Sequence, residues 1–312
     1  MSQRLGYRSN VVQRWESRRS FPTAARFLEL HQQLEPRRLG CFEAFFRRRP
    51  TWFDRERGID AAAVAAFLRE VRGKTPASVL AKNARVSRHR LGRWLSGSAE
   101  PKLPEFLCLV DVATRRLPDW LATLTDPERL PSVARVWKQL CLAREAAYSQ
   151  PWSHAVLRAL ELQALPSGRS RQIAWLSGRL GIGTADIEAA LGVLEQTEQV
   201  TRTRRGYAIR ERHVVNTAPE PERARELKST WSKVAVERLD RGAPGSFGYA
   251  LFAISKRDMV KLRDLHLDYL RAMQQVIAES EPNECVGLYC AQLVDLGEGD
   301  NALSNFRGAR TK

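Results

Sequence analysis

The sequence predicts a mainly α fold: two tandem two-helix units, a three-helix unit closed by a small β-hairpin, and a mostly helical C-terminal domain. Three observations predict it. One pattern of apolar and aromatic residues at helical spacing occurs twice, 79 residues apart. Apolar residues elsewhere recur three and four apart, the period of amphipathic helices. The clearest strand signal is 199–209, where β-branched and aromatic residues flank Arg204-Arg205-Gly206.

The first copy of the repeat is Leu5-Gly6-Tyr7-Arg8-Ser9-Asn10-Val11-Val12-Gln13-Arg14-Trp15-Glu16-Ser17-Arg18, followed by Pro22. The second is Ala84-Arg85-Val86-Ser87-Arg88-His89-Arg90-Leu91-Gly92-Arg93-Trp94-Leu95-Ser96-Gly97, followed by Pro101. Val12 aligns with Leu91, Trp15 with Trp94 and Ser17 with Ser96, and the match continues through Phe27/Phe106, Leu28/Leu107 and Leu30/Leu109. An offset kept over so many positions marks two copies of one supersecondary unit. Leu5-Gly6 is expected to end one helix and turn the chain. Ser9 and Ser87 are expected to cap the next. Val12 with Trp15, and Leu91 with Trp94, then face inward together. Ser9, Asn10, Val11, Gln13 and Arg14 are left outside, as are Ser87, Arg88, His89, Arg90 and Arg93. A second helix whose N-terminal polar side chains enter the major groove is how helix-turn-helix proteins read bases. Asn and Gln suit adenine, and Arg suits guanine.

Both copies resemble the Cro/C1-repressor type of helix-turn-helix, with its Leu-Gly-x-Ser, apolar residue and aromatic, then Glu-x-Gly and Pro. Trp15-Glu16-Ser17 fits closely, with Arg18 in place of the Gly. Trp94, Gly97 and Pro101 fit in the second copy, with Leu95 for the Glu and Ala84-Arg85 for Leu-Gly. The family carries a helix and most of another before its Leu-Gly turn, and the second copy supplies them at 64–71 and 76–83. The first begins about five residues before its reading helix. A start codon placed too far downstream would produce this; so would a decayed module scaffolded by the rest of the chain.

Net charge is +16, with 51 Lys and Arg against 35 Asp and Glu, and only nine of the cations are Lys. Arg presents a planar fork of donors that suits phosphate and guanine. A GC-rich genome would explain Arg over Lys, but not the excess over acids, so nucleic acid is the expected partner. No apolar run is long enough to span a membrane. The N-terminus lacks a signal-peptide layout. Five scattered Cys suit a reducing cytoplasm rather than a disulfide framework. Cys108 and Cys141 read as buried thiols, and Cys285-x4-Cys290 with distant His266 as no metal site.

Along the chain, 1–35 is the truncated first module and 36–58 a basic, aromatic connector. In the connector Phe42, Phe45 and Phe46 read as packing, and Arg47–Arg49 as phosphate contacts or a solvated face. Residues 60–124 form the second module, and 133–148 a linking helix. Residues 151–215 read as helices at 152–165 and 170–180 and a third, long helix capped by Thr184, then the hairpin. That layout resembles winged-helix regulators, which implies wing contacts to phosphate from Arg202, Arg204 and Arg205. The third helix is read as carrying Asp186, Glu188, Glu195 and Glu198, acids that oppose its entry into a groove. Residues 220–296 form a sensing or dimerisation domain with a helix at 223–239, an apolar stretch at 249–254 read as a strand, and a long helix capped by Ser255. The order across roughly 133–296 resembles an uncharacterised bacterial family that carries a winged helix before a domain of unknown function, sometimes behind a Cro/C1-type module. The tail, 297–312, is Gly/Asp/Asn/Ser-rich and is expected to be disordered.

No phosphate-cradling loop, zinc spacing or His-Glu-x-x-His occurs, so neither an enzyme nor a cofactor is expected. The expectation is a cytoplasmic regulator of transcription bound to double-stranded DNA. Two half-sites would lie about 10 base pairs, or a multiple, apart. The C-terminal half would admit a homodimer partner or a small-molecule or peptide effector. The competing expectation is an adaptor whose degenerate modules dock a protein or peptide.

Overall fold

The computed structural model describes residues 7–34, 45–46, 50, 58–73, 75–210 and 215–297. Leu5-Gly6, Arg47–Arg49, Cys41, His213 and nearly all of the expected tail lie outside them. The first repeat unit holds α1 (Val11–Glu16) and α2 (Ala24–Leu34). The second holds α3 (Ala61–Arg72), α4 (Ala77–Asn83), α5 (Arg88–Ser96), α6 (Leu103–Thr114) and α7 (Leu117–Leu124). After a 3-10 turn come α8 (Ala134–Ser149), α9 (Trp152–Ala159), α10 (Arg169–Leu180) and α11 (Thr184–Gln196). The antiparallel hairpin β1 (Val200–Thr203) and β2 (Gly206–Ile209) follows, then α12 (Pro221–Asp240) and α13 (Lys256–Glu279). The fold is mainly α, with this one small two-stranded sheet among the described residues.

Both repeat units share one apolar core. Helix α2 places Ala24, Ala25 and Leu28 against α3 and α6, beside buried Phe67, Leu68, Phe106 and Leu109. Rings fill its centre: Phe67 lies 5.5 Å from Phe46, 5.2 Å from Phe106 and 6.2 Å from Trp120. Phe45 and Phe46 therefore pack, as their spacing suggests, while Phe42 is outside the described residues. The second core joins Val156, Leu176, Ile187, Leu191 and Leu194 to Val200 and Tyr207 of the hairpin. Helix α8 ties the two together. Buried Arg144 meets buried Asp119 of α7 at 2.9 Å, and its Nε donates to the Asn216 carbonyl at 2.7 Å. Burial raises the Asp119 carboxyl above its ordinary range, and Arg144 and Arg116 oppose that rise.

Several local expectations are corrected. Asn10, not Ser9, caps α1: its Oδ1 accepts from the Gln13 amide, so the helix starts later than in the second copy. Val12 and Trp15 are only half-buried, where full burial is expected. Helix α9 stops at Ala159, and Leu160 and Leu162 are buried in a following turn. Gly183, not Thr184, is the N-cap of α11. Cys108 is exposed, on the side of α6 away from Phe106 and Leu109. Residues 249–254 form no strand, since a ladder needs a partner and none is paired there among the described residues. Ser255 does cap α13, accepting from the Asp258 amide at 3.1 Å.

Both arginines that stand where the repressor pattern has Gly adopt left-handed backbone, Arg18 at φ 60° and Arg85 at φ 55°. A Cβ makes that region costly, by roughly 1–2 kcal/mol. Arg18→Gly and Arg85→Gly are each expected to raise unfolding stability by about 0.5–1 kcal/mol, measured by denaturant titration. In α9, burial, with Arg158 adding to it, lowers the His154 imidazole to about 4. The unfolded chain takes up this proton near pH 6.5 and the folded one does not, so stability falls as pH drops from about 6.5 to about 4. The loss should reach about 3 kcal/mol, and His154→Leu should remove it when unfolding is compared at the two ends of that window.

Candidate nucleic-acid interface

Helix α5 is amphipathic with its ends fixed. Ser87 Oγ accepts from the Arg90 amide at 3.2 Å, and Gly97 closes the helix in left-handed conformation, φ 78°. Arg69 donates to the Leu95 carbonyl at 2.6 Å, a cation at the negative end of the helix. Leu91 and Trp94 are buried against α3 and α4. The opposite face therefore exposes Ser87, Arg88, His89, Arg90 and Arg93. Arg90 is held along the surface, 2.5 Å from Glu105 and 5.0 Å above the Trp94 ring. Arg88 and Arg93 pair with no carboxylate among the described residues.

Helix α1 presents the weaker counterpart. Ser9, Asn10, Gln13 and Arg14 are exposed, and Val11 is half-buried. These polar groups bond to one another: Asn10 Nδ2 donates to Gln13 Oε1 at 2.8 Å, and Arg14 donates to Ser9 Oγ at 3.3 Å. Behind them Trp15 meets Tyr7 edge to face at 5.6 Å, and the Tyr7 hydroxyl accepts from Arg26 Nε at 2.6 Å. Burial is the largest single influence on the Arg26 guanidinium and lowers it, but Glu29 and Tyr7 together outweigh it and raise the group above its ordinary value.

The hairpin unit has its cations elsewhere than on its third helix. Helix α11 carries Asp186, Glu188 and Glu195 and no Lys or Arg. Arg202, expected as a wing contact, is exposed and paired with Glu195 at 2.7 Å, so part of its charge is already met. Arg204 and Arg205 are exposed at the tip. The Arg205 carbonyl accepts from Gly168 N at 2.7 Å, which brings the tip to the start of α10 and adds exposed Arg169 and Arg171 to the patch. Sequence reasoning missed this pair: the contact spans 37 positions and no local pattern marks it. Only the basic start of α10 hinted at it.

The family model described as a domain of unknown function, DUF4423, matches residues 133–293. The chain belongs to the DUF4423 family. The DUF4423 domain thus runs from α8 through the hairpin unit, α12 and α13. No curated protein and no solved structure matches the chain. Among the described residues, no group of three His, Cys, Asp or Glu could hold a metal ion, and no helix is long and apolar enough to cross a membrane.

Within the DUF4423 domain the tip depends on Gly206. It has φ 113°, and a Cβ there would collide with the Gln172 side chain, whose Oε1 accepts from the Tyr207 amide at 2.6 Å. Gly206→Ala should cost about 2 kcal/mol or more, read by thermal unfolding. Gly192→Ala, on α11 with open space around it, should leave stability unchanged or slightly higher.

Proposed function

We propose that the chain is a sequence-specific DNA-binding regulator of transcription, acting in the cytoplasm and without catalysis of its own. The observation that carries this reading is α5. A capped helix buries Leu91 and Trp94 and turns Arg88, His89 and Arg93 outward with no acid on the helix. Helix α4, the turn at 84–87 and α5 stand in the order of the Cro/C1-type helix-turn-helix that the sequence resembles, and α1 is the second, partial copy. The excess of cations supports the same partner, since phosphate contact is favourable wherever arginines are not already paired. The hairpin unit resembles a winged helix, but the acids of α11 favour a division of labour. The arginine patch at its tip grips phosphate while α5 and α1 read bases.

The C-terminal half regulates or dimerises in this reading. Large apolar side chains stand exposed there, Tyr249 at 92% and Leu251 at 77%, and they suit a second copy of the chain or a small-molecule or peptide effector. A second reading, an adaptor that docks a protein or peptide on its degenerate modules, is favoured by Arg90. Glu105 and Trp94 hold that side chain down, away from a groove. Affinity capture with and without nuclease separates the two: partners lost on nuclease treatment support DNA, and partners retained support the adaptor.

Genome-wide mapping of bound sites, followed by titration of the recovered duplexes against salt, tests the DNA reading. Arg88→Ala and Arg93→Ala should each cost about 1–3 kcal/mol of specific affinity and relax the sequence preference. Arg204→Ala with Arg205→Ala should weaken all sequences alike and flatten the salt slope by about 0.9 per lost contact. Identical behaviour of the two sets would contradict the division of labour.

A further inference from the structure

Among the described residues, the two repeat units are bonded backbone to backbone around Thr23 and Lys102, and the contact is symmetric. Thr23 and Lys102 face each other in an antiparallel bridge. The Ala24 amide donates to the Pro101 carbonyl at 3.0 Å, and the Leu103 amide donates to the Pro22 carbonyl at 2.9 Å. Every pair is formed by equivalent positions: Pro22 with Pro101, Thr23 with Lys102 and Ala24 with Leu103 are each 79 residues apart. Antiparallel pairing of equivalent residues through reciprocal hydrogen bonds is the local signature of a two-fold rotation, whereas a translation would leave the segments parallel. The flanking chain keeps the relation. Each unit leaves its outward-facing helix through a left-handed residue, Arg18 or Gly97, passes a buried proline and enters α2 or α6. Those two helices then pack on each other.

We infer that the two units form a pseudo-dimer within one chain, so that α1 and α5 address two half-sites in inverted orientation about the Thr23–Lys102 bridge. The inference rests on the DNA-binding reading above. The half-sites are unequal because the ridges differ. Asn10 and Gln13 suit adenine on one side, and Arg88 and Arg93 suit guanine on the other. The ligand is therefore an asymmetric, quasi-palindromic duplex covered by a single chain.

Selection from duplexes with a randomised core of about 30 base pairs, roughly three helical turns, tests this with the full chain. The enriched sites should hold an adenine-containing and a guanine-containing half in inverted orientation. Reversing one half should weaken binding at least about tenfold. Gln13→Ala should erase the information in the first half and Arg93→Ala that in the second. Two halves in the same orientation, or one half alone, would overturn the inference and leave the DNA reading standing. Enrichment of no duplex would overturn both. A second measurement needs no DNA. Facing residues of a non-hydrogen-bonded antiparallel pair have Cα atoms about 4.5 Å apart, within disulfide reach. Thr23→Cys combined with Lys102→Cys should therefore form an intrachain crosslink on mild oxidation, absent from either single variant. The locked protein should bind the selected duplex within about twofold of the parent. Failure to crosslink, or a tenfold loss of binding once locked, would overturn the pseudo-dyad.

Discussion

The packing of α2 onto α3 and α6 is the constraint from which the N-terminal half follows. Helix α1 has six residues and no buried side chain, too little to hold itself in water. Its position is set by what comes after it: the turn through Arg18, buried Pro22, and the Ala24–Leu28 face sunk into the core of the second unit. Full burial of a Leu such as Leu28 contributes about 1.5–3 kcal/mol, and an aromatic pair in the shared core such as Phe67 with Phe106 adds about 0.5–1.5 kcal/mol beyond its burial. The first unit therefore leans on the second, and the backbone bridge at Thr23 fixes the angle at which it does so.

A second constraint joins this half to the DUF4423 domain. Asp119 and Arg144 form a buried pair, and Arg144 also bonds the Asn216 carbonyl, so one guanidinium links α7, α8 and the segment leading into α12. Removing one partner of such a pair leaves a charge without compensation, at a cost of about 3–5 kcal/mol. Arg223 reinforces the joint with two hydrogen bonds of 2.7 Å to Glu145 and a position 4.4 Å above the Tyr148 ring, which lowers the Glu145 carboxyl below its ordinary value.

What the sequence made legible was local. Leu91 and Trp94, three apart, announced the buried face of α5, and the Arg204-Arg205-Gly206 tip announced the hairpin whose register pairs Thr203 with Gly206. Glu195 on α11 announced acids where a groove-reading helix wants cations, and the structure adds that it neutralises Arg202. What stayed hidden was non-local. Nothing near Thr23 foretells Lys102 as its partner, nor does anything near Arg205 foretell Gly168. Residues 249–254 have strand composition, but composition cannot supply a neighbouring strand. Arg18 and Arg85 were visible as departures from a Gly-bearing pattern. That the backbone keeps the glycine conformation at both places, and bears the strain, needed the fold.

Charge distinguishes the two outward-facing helices. Helix α5 carries three arginines and no acid, α11 three acids and no base, and only the first is electrostatically suited to a duplex. Amide hydrogen exchange of the full chain, with and without a duplex recovered from its genomic sites, tests this most directly. Slower exchange on binding is predicted at Val11–Glu16 and Arg88–Ser96, and none at Thr184–Gln196. Protection of Thr184–Gln196 with Arg88–Ser96 unchanged would contradict the account.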